Sequence, residues 1–309
     1  MTLTAIIPRR PALARASPAR ASGFAANPAG RDTHYETVRD DRLLGRRYRL
    51  GALVGRGSEA NVYQATDATL GTDVAIKIFR AESGDAASPF SREQALHTPL
   101  HHRNIVRIKD HGRVPADGGP GSGRDYLVAE LVRGPDLRSV LQDGHLGTPH
   151  VAAWMSDVAS ALAHVHRKGV VHNDVKPANI LVDRSAGTDP TGRAKLTDFG
   201  IATSSRHRPN HAGSGTPHYL SPEAVHGTTT TSASDIYALG LVTFECLTGI
   251  KAFPGPALES MVARTLRAPR LPDTVRRRWS MLLHSMTDAD PANRPTAAEA
   301  HRALKRISR

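Results

Sequence analysis

The sequence predicts an α+β fold with two lobes, a small strand-rich amino-terminal lobe containing one helix and a larger, mainly helical carboxyl-terminal lobe. Short runs rich in β-branched residues dominate residues 47–132, whereas longer segments with helical periodicity dominate residues 135–309. The length of 309 residues suits one large domain or two closely packed lobes. We therefore expect residues 47–309 to form the folded unit.

Five short strands are expected in the first lobe, with one helix between the third and the fourth. Gly- and Pro-containing segments separate these runs, as antiparallel connections require. The predicted strands are Tyr48–Val54, Asn61–Ala65, Asp73–Phe79, Val106–His111 and Tyr126–Leu131, and the predicted helix is Pro89–Leu96.

Helices dominate after Gly134. Thr148 can cap a helix in which Pro149 occupies the first turn and Gly169 follows the last residue, Lys168. Its apolar residues recur at the three- and four-residue spacing of a buried stripe, which makes Trp154 and Met155 core residues. Further helices are predicted over 234–248, 273–287 and 296–307, the second of which contains Trp279.

Residues 1–46 are expected to form a disordered basic tail. They hold eight arginines against four acids, and Pro8, Pro11, Pro18 and Pro28 interrupt them. A segment of this composition buries too little apolar surface to offset the entropy cost of ordering.

Charge and composition exclude several classes of protein. The net charge of +12 invites a nucleic-acid partner, but aromatic residues are only 5% and no aromatic RNA-binding strand or basic zipper accompanies the charge. We expect no nucleic-acid partner. The single cysteine, Cys246, excludes an intrachain disulfide framework and is expected to be a buried, inert thiol. This cysteine usage leads us to expect a cytoplasmic protein. No apolar run approaches the roughly 18 residues that span a bilayer, so we expect no membrane-spanning segment.

A glycine-containing turn joins the first two predicted strands and could bind phosphates. Its residues are Val54, Gly55, Arg56, Gly57, Ser58, Glu59, Ala60, Asn61 and Val62. Glycines let backbone N–H groups approach a polyphosphate without interference from Cβ. A strand follows this turn where a dinucleotide-binding Rossmann site needs a helix, which argues against that class of site.

Lys77 lies in the third predicted strand, and one acidic partner can be named for it. Glu93, on the predicted Pro89–Leu96 helix, is the only carboxylate between Asp85 and Asp110. A Lys77–Glu93 ion pair would hold the ammonium against the oxygens of the α- and β-phosphates.

Two further segments carry groups suited to phosphoryl transfer. In the segment Val171–Asn179, Asp174 can accept a hydroxyl proton and Lys176 can neutralise charge on the transferring group. The side-chain oxygen of Asn179 and the carboxylate of Asp198 suit a hard divalent cation.

Together these segments resemble the signature set of the protein kinase superfamily, over about residues 47–309 in order and spacing. The sequence is most similar in kind to bacterial, eukaryotic-like (Hanks-type) serine/threonine protein kinases. The resemblance implies a Ser/Thr kinase and not a Tyr kinase because Lys176 follows Asp174 by two residues. The resemblance implies ATP with Mg²⁺ or Mn²⁺, protein substrates with Ser or Thr acceptors, and autophosphorylation. It also implies lobes at 47–132 and 135–309.

The resemblance assigns roles to further residues. Thr216 would contact both Asp174 and Lys176, and His172 would lie beneath the catalytic loop. For ATP, backbone groups of Glu130 and Val132 would bind the adenine edge and Asp136 would reach the ribose. Two structural contacts are also implied, an ion pair between Arg294 and Glu223 and a brace from Asp235 to the catalytic loop.

The sequence departs from the family pattern at two positions. Ala60 replaces a third glycine, which should stiffen the glycine-containing turn. Asn173 replaces the arginine that precedes the catalytic aspartate and normally meets a phosphate on the activation loop. We expect activity to depend less on phosphorylation in that loop, at Thr203, Ser204, Ser205 or Ser214.

Two other functions remain open from the residues alone. A pseudokinase scaffold would share the fold, but Lys77, Glu93, Asp174, Asn179 and Asp198 are all present, which favours an active enzyme. A small-molecule kinase is disfavoured because the segment Gly215–Glu223 resembles a peptide-docking loop. The sequence gives no indication of oligomeric state.

Overall fold

The computed structural model describes residues 43–57, 59–82, 88–114, 122–144, 146–185, 191–199 and 217–308. Residues 1–42 of the expected tail therefore lie outside the described residues. So do Ser58, Thr216 and the four hydroxyl residues of the expected activation loop.

The amino-terminal lobe is a five-stranded antiparallel sheet with the strand order β1-β2-β3-β5-β4. The strands match the predicted ones with small shifts at their ends: β1 Tyr48–Arg56, β2 Ala60–Asp67, β3 Thr72–Glu82, β4 Ile108–Arg113 and β5 Arg124–Glu130. Lys77 is in the central strand and pairs with Val62 on one side and Leu127 on the other. This register puts the β1–β2 turn beside Lys77.

One helix, α1 (Pro89–His97), packs on this sheet, as predicted. Ser88 caps it by accepting a hydrogen bond from the N–H of Ser91 at 3.1 Å. Glu93 and His97, one turn apart on the helix, are both buried. The helix therefore presents a carboxylate and an imidazole to the protein interior.

The carboxyl-terminal lobe is mainly helical and is built around α3, which packs against α5 and α8. Its helices are α2 Leu137–Gln142, α3 Thr148–Arg167, α4 Pro222–Val225, α5 Ser232–Thr248, α6 Ala257–Leu266, α7 Arg277–Met286 and α8 Ala297–Ile307. A two-stranded hairpin, β6 Ile180–Asp183 and β7 Arg193–Leu196, lies at the face toward the first lobe. The two lobes confirm the α+β prediction.

The core residues predicted from spacing are confirmed. Trp154 and Met155 on α3, Trp279 on α7 and Cys246 on α5 are buried in one cluster. Full burial of each large apolar side chain contributes about 1.5–3 kcal/mol. The helical stripe thus supplies the apolar contacts on which the second lobe is assembled.

Some predicted helix ends were wrong. Thr148 is the first residue of α3 and not its cap; Gly147 occupies the cap position and makes no side-chain hydrogen bond there. Helix α7 begins at Arg277, four residues after the predicted start at Asp273, because residues 273–276 form a turn. Thr296 caps α8 with a reciprocal hydrogen bond to Glu299.

Within the described ranges, no helix combines the length and the apolarity that crossing a membrane requires.

Candidate active site

Lys77 forms two buried ion pairs. Its Nζ lies 2.6 Å from Glu93 Oε2 and 2.6 Å from Asp198 Oδ1. The pair with Glu93 confirms the expectation from sequence. The second pair joins β3 to the end of the β7 strand and so links the two lobes.

The carboxylates of Glu93 and Asp198 share the ammonium group of Lys77, and their pKa values shift in opposite directions. Burial alone would lower the pKa of Lys77, but the charges of Asp198 and Glu93 raise it above its usual value. Burial raises the pKa of Glu93 to about 7, against the lowering effect of Lys77. Burial also acts to raise the pKa of Asp198, but attraction by Lys77 holds it below the usual range. Lys77 therefore favours the ionised form of Asp198, whereas burial favours the neutral form of Glu93.

A second cluster contains the predicted catalytic loop. Lys176 Nζ lies 2.7 Å from Asp174 Oδ2, and the amide nitrogen of Asn179 donates to the same oxygen at 2.9 Å. Asn179 also donates to the backbone carbonyl of Asp174 at 2.9 Å. The Asp174 carboxylate is held by two donors yet keeps 15% of its side-chain surface exposed.

The β6–β7 hairpin brings the two clusters together. Asn179 immediately precedes β6, and its backbone carbonyl accepts the N–H of Thr197 at 3.0 Å, one residue before Asp198. The Thr197 carbonyl lies 3.1 Å from Nε2 of His172. Lys77, Asp174, Asn179 and Asp198 thus converge from separate stretches of chain, as expected.

Asp235, near the start of α5, braces the catalytic loop. Its Oδ2 accepts the N–H of His172 and its Oδ1 accepts the N–H of Asn173, both at 2.8 Å. The Nε2 of His166 lies 2.8 Å from the same Oδ2. Asn173 has a φ of +62°, a left-handed conformation that asparagine adopts more readily than most residues. The expected brace is confirmed.

The glycine-containing turn closes the β1–β2 hairpin. Gly57 N–H donates to the Ala60 carbonyl at 2.9 Å, and Arg80 N–H donates to the Glu59 carbonyl at 2.7 Å. The register pairs Arg56 with Asn61. The methyl group of Ala60 is buried in an apolar cluster, so the residue that replaces the third glycine packs inward.

Glu130 ends β5 at the connection between the lobes. Its N–H donates to the Arg107 carbonyl at 2.9 Å. The Glu130 carboxylate accepts from Lys195 Nζ at 2.6 Å and from Arg107 N–H at 3.0 Å. Val132 is buried beside this connection.

Asp136 has a structural role that the sequence reasoning missed. It is fully buried, and its Oδ1 caps α2 by accepting the N–H of Ser139 at 2.7 Å. This capping bond engages one carboxylate oxygen and fixes the side chain at the start of α2. The sequence Asp136–Ser139, an acidic cap before a short apolar helix, was the available signal.

An apolar cluster extends from the sheet to the second lobe below the β1–β2 turn. Leu181 on β6 joins residues of the sheet there, and the sequence reasoning did not select it. The same cluster contains Val62, Ala75, Ala129 and Val132, and Val54 packs against it. Apolar side chains of this kind beside polar backbone groups suit a flat heterocycle.

The ring of Phe199 contacts two imidazole rings, those of His97 and His172, and the sequence analysis did not predict these contacts. The ring of Phe199 lies 4.5 Å from that of His97 and 4.7 Å from that of His172. The Nε2 of His97 lies 2.7 Å from the Val106 carbonyl, and burial lowers the pKa of His97 to about 3. Helix α1 and the catalytic loop are therefore coupled through Phe199.

Residues 217–223 are anchored to the second lobe by two side-chain contacts. Arg294 Nη1 and Nη2 donate to the two carboxylate oxygens of Glu223 at 2.7 and 2.9 Å, which confirms the expected pair. The Tyr219 hydroxyl donates to Glu245 on α5.

Comparison with known proteins agrees with this geometry. The chain is 38% identical over 270 residues to serine/threonine-protein kinase PrkC of Bacillus subtilis, which covers 84% of this chain and 40% of the relative. It is 37% identical over 283 residues to PkaB of Streptomyces coelicolor, covering 86% and 64% respectively. It is 36% identical over 237 residues to PknA of Mycobacterium tuberculosis, and the alignment covers 74% of this chain and 53% of PknA. The chain spans between 40% and 64% of the length of these relatives. Residues 48–304 match the protein kinase domain model, and the chain therefore belongs to the protein kinase family.

Proposed function

We propose that the protein transfers the γ-phosphoryl group of ATP to Ser or Thr hydroxyls of protein substrates, with residues 47–309 as the catalytic unit. The observation that carries this proposal is the convergence of two charged clusters, Lys77 with Asp198 and Asp174 with Asn179, joined through the hydrogen bond between Thr197 and Asn179. The similar proteins from Bacillus subtilis and Mycobacterium tuberculosis carry the name serine/threonine-protein kinase, which supports the same activity here.

The residues fit a nucleotide with a divalent cation. Asn179 Oδ1 is buried and has no hydrogen-bond partner among the described residues, and an oxygen of this kind suits Mg²⁺ or Mn²⁺. The ionised carboxylate of Asp198 supplies negative charge beside it. When bound, the cation and ATP supply the phosphoryl group and neutralise charge on its oxygens.

The remaining groups position and activate the acceptor. Asp174 is the proposed base, since its partly exposed carboxylate can accept the proton of a hydroxyl. Lys176, 2.7 Å from Asp174, is placed to stabilise negative charge on the transferring group. Lys77 would hold the α- and β-phosphates, with Glu93 keeping its ammonium in place.

Three finer properties are part of the proposal. Because Asn173 replaces the usual arginine, activity should survive alanine at Thr203, Ser204, Ser205 and Ser214. Autophosphorylation is expected, because Ser and Thr residues in the chain are acceptors of the proposed class. Thr216 is proposed to contact Asp174 and Lys176 when a substrate binds.

The test is incubation of the full chain with radiolabelled ATP and Mg²⁺, with a Ser/Thr-containing acceptor protein and mapping of the phosphorylated residues. Asp174→Asn should abolish labelling, whereas Asp273→Asn, at an exposed position on the second lobe, should not. Binding of ATP without labelling in the wild type would instead favour a pseudokinase scaffold. Labelling of Tyr alone would contradict the proposed acceptor class.

A further inference from the structure

Arg264, on the inner face of α6, is a buried cation that the proposed reaction does not use. Only 2% of its surface is exposed, and it forms no ion pair with a carboxylate within the described ranges. Burial lowers the pKa of its guanidinium to about 10, so the group still carries its charge at neutral pH. Because a buried charge without a counter-charge is destabilising, packing alone does not explain why an arginine lies there.

The guanidinium is held by hydrogen bonds and by one aromatic ring. Its Nε donates to the Ser260 carbonyl at 3.0 Å and its Nη2 donates to Ser260 Oγ at 2.7 Å, both within α6. Its Nη1 donates to the Leu220 carbonyl, which lies outside the helix. The ring of Phe253 lies 5.4 Å from the guanidinium carbon, a distance at which a cation is attracted to a ring. These contacts direct the side chain toward the residues that precede α4.

A second residue of that segment is bound to α6 through the Ser260 hydroxyl. This hydroxyl accepts from Arg264, so its own hydrogen can be donated to Nδ1 of His218, 3.1 Å away. Burial lowers the pKa of His218, which favours the neutral imidazole that this bond needs. His218 and Leu220 are therefore both attached to α6, while Tyr219 between them is attached to α5.

Residues 218–220 and the catalytic loop are both neighbours of helix α2. The helix packs against Pro177–Asn179, which begins three residues after Asp174. Burial raises the pKa of Tyr219, and the charge of Arg138 on α2 acts against this, which places Arg138 near the Tyr219 hydroxyl. A chain that brings a hydroxyl to the partly exposed Asp174 carboxylate would therefore run beside residues 218–220.

We propose that Arg264, together with Ser260, is a positioning residue that holds residues 218–220 in the conformation on which an acceptor chain docks. The proposal rests on the kinase activity proposed above and assigns the support of its acceptor surface to the inner face of α6. A guanidinium suits this role because its donors have a fixed planar arrangement, so one side chain binds a carbonyl and a hydroxyl at once. An apolar side chain in its place would leave the Leu220 carbonyl without this donor.

The first test follows the segment itself and does not need catalysis. Arg264→Met replaces the guanidinium by an unbranched apolar side chain, and hydrogen–deuterium exchange of the full chain is measured by mass spectrometry. Exchange in a peptide covering residues 217–226 should be roughly tenfold faster in the variant, the effect of losing one hydrogen bond to a charged donor. Peptides from β3 and α8 should exchange at the wild-type rate, because neither element contacts the guanidinium.

Arg267→Met is the matched control. The guanidinium carbon of Arg267 also lies 5.4 Å from the Phe253 ring, but this side chain is exposed and has no hydrogen bond among the described residues. The control should exchange as the wild type does. Unchanged exchange in Arg264→Met, or an equal increase in Arg267→Met, would overturn the proposal. Ser260→Ala, a smaller change, should also speed exchange in residues 217–226, and a wild-type rate in that variant would overturn it as well.

Kinetic constants connect the position of the segment to phosphoryl transfer. With the Ser/Thr-containing acceptor protein, KM for the acceptor should rise roughly tenfold in Arg264→Met. KM for ATP and kcat at saturating acceptor should change less than about twofold, whereas a purely structural role would alter all three constants. Equal increases in the two KM values would contradict the positioning role. If the wild type phosphorylates no acceptor, the proposed kinase activity is wrong, and the exchange measurement still decides whether Arg264 holds the segment.

Discussion

Asp235 offers the most direct test of how the catalytic loop is held in place. Its buried carboxylate accepts the N–H groups of His172 and Asn173, both at 2.8 Å, immediately before Asp174. Asp235→Asn keeps the shape of the side chain but replaces one acceptor oxygen with an NH₂ group. One of the two backbone donors then faces another donor and loses its partner.

The expected loss of stability follows from these two hydrogen bonds. A hydrogen bond to a charged acceptor contributes about 1.5–3 kcal/mol, and leaving a buried donor unsatisfied costs about 1–3 kcal/mol. The two contributions partly describe the same loss, so the total lies between one contribution alone and their sum. We expect Asp235→Asn to lower the free energy of unfolding by about 2–4 kcal/mol. Displacement of the adjacent Asp174 by as little as 1 Å would reduce kcat about 100-fold.

Two measurements separate stability from positioning. Urea denaturation gives the free energy of unfolding, and kcat is measured with saturating ATP at a temperature where the variant is fully folded. KM for ATP should change little, because the Lys77 ion pairs do not involve Asp235. Asp273→Asn, an acid-to-amide change at an exposed position, is the control. The reasoning is refuted if the free energy of unfolding of the variant lies within about 1 kcal/mol of the wild-type value, which is half the smallest expected loss, and kcat falls less than threefold.

Three further predictions concern the second lobe. Glu223→Gln leaves the Arg294 guanidinium, which is inaccessible to solvent, without its carboxylate and should cost about 3–5 kcal/mol by urea denaturation. Burial alone would raise the pKa of Glu223, but the hydrogen bond from Arg294 lowers it. The stabilisation by this ion pair is therefore present above about pH 4.5 and should shrink as the pH falls further. If the difference in unfolding free energy between wild type and variant grew in acid instead, this account would be wrong. Asn173→Gly should be more stable than Asn173→Ala by about 1 kcal/mol, because both remove the side chain and only alanine is strained at a φ of +62°; equal stabilities would show that the φ is not maintained. Burial raises the pKa of the Cys246 thiol, so a thiol reagent should label it only at the rate of unfolding, and rapid labelling of the native protein would disprove its burial.

The strands, the large helices and the Lys77–Glu93 pair could be predicted because each leaves a local signal. The periodicity of α3 comes from its buried stripe, and Glu93 was the only acid available in its stretch of chain. The second partner of Lys77 had no such signal. Asp198 is 121 residues away, and only the packing of β7 against the first lobe brings it within 2.6 Å.

Helix α6 and the buried Asp136 were missed for a different reason. Sequence reasoning assigns apolar residues to the interior and charged residues to the surface, and α6 reverses this rule with an exposed Leu258 and a buried Arg264. The polarity of α6 follows from a tertiary contact, the hydrogen bond from Arg264 to the Leu220 carbonyl. The cap formed by Asp136 is a local contact, which was missed because the carboxylate was assigned by its position in a motif.

Backbone strain shows that the site is organised before any substrate binds. Of the three non-glycine residues with positive φ in the described ranges, two lie in the site: Asn173 at +62° and Asp198 at +67°. A left-handed conformation costs about 1–2 kcal/mol for an ordinary residue and persists only where the surroundings enforce it. Asp235 restrains the first by accepting its N–H, and Lys77 restrains the second through its carboxylate. Asn173 directly precedes Asp174, and Asp198 is itself a proposed cation ligand, so these contacts hold the backbone on which the catalytic groups are placed. Preorganisation of this kind lowers the barrier to charge transfer because the protein dipoles need not reorganise during the reaction.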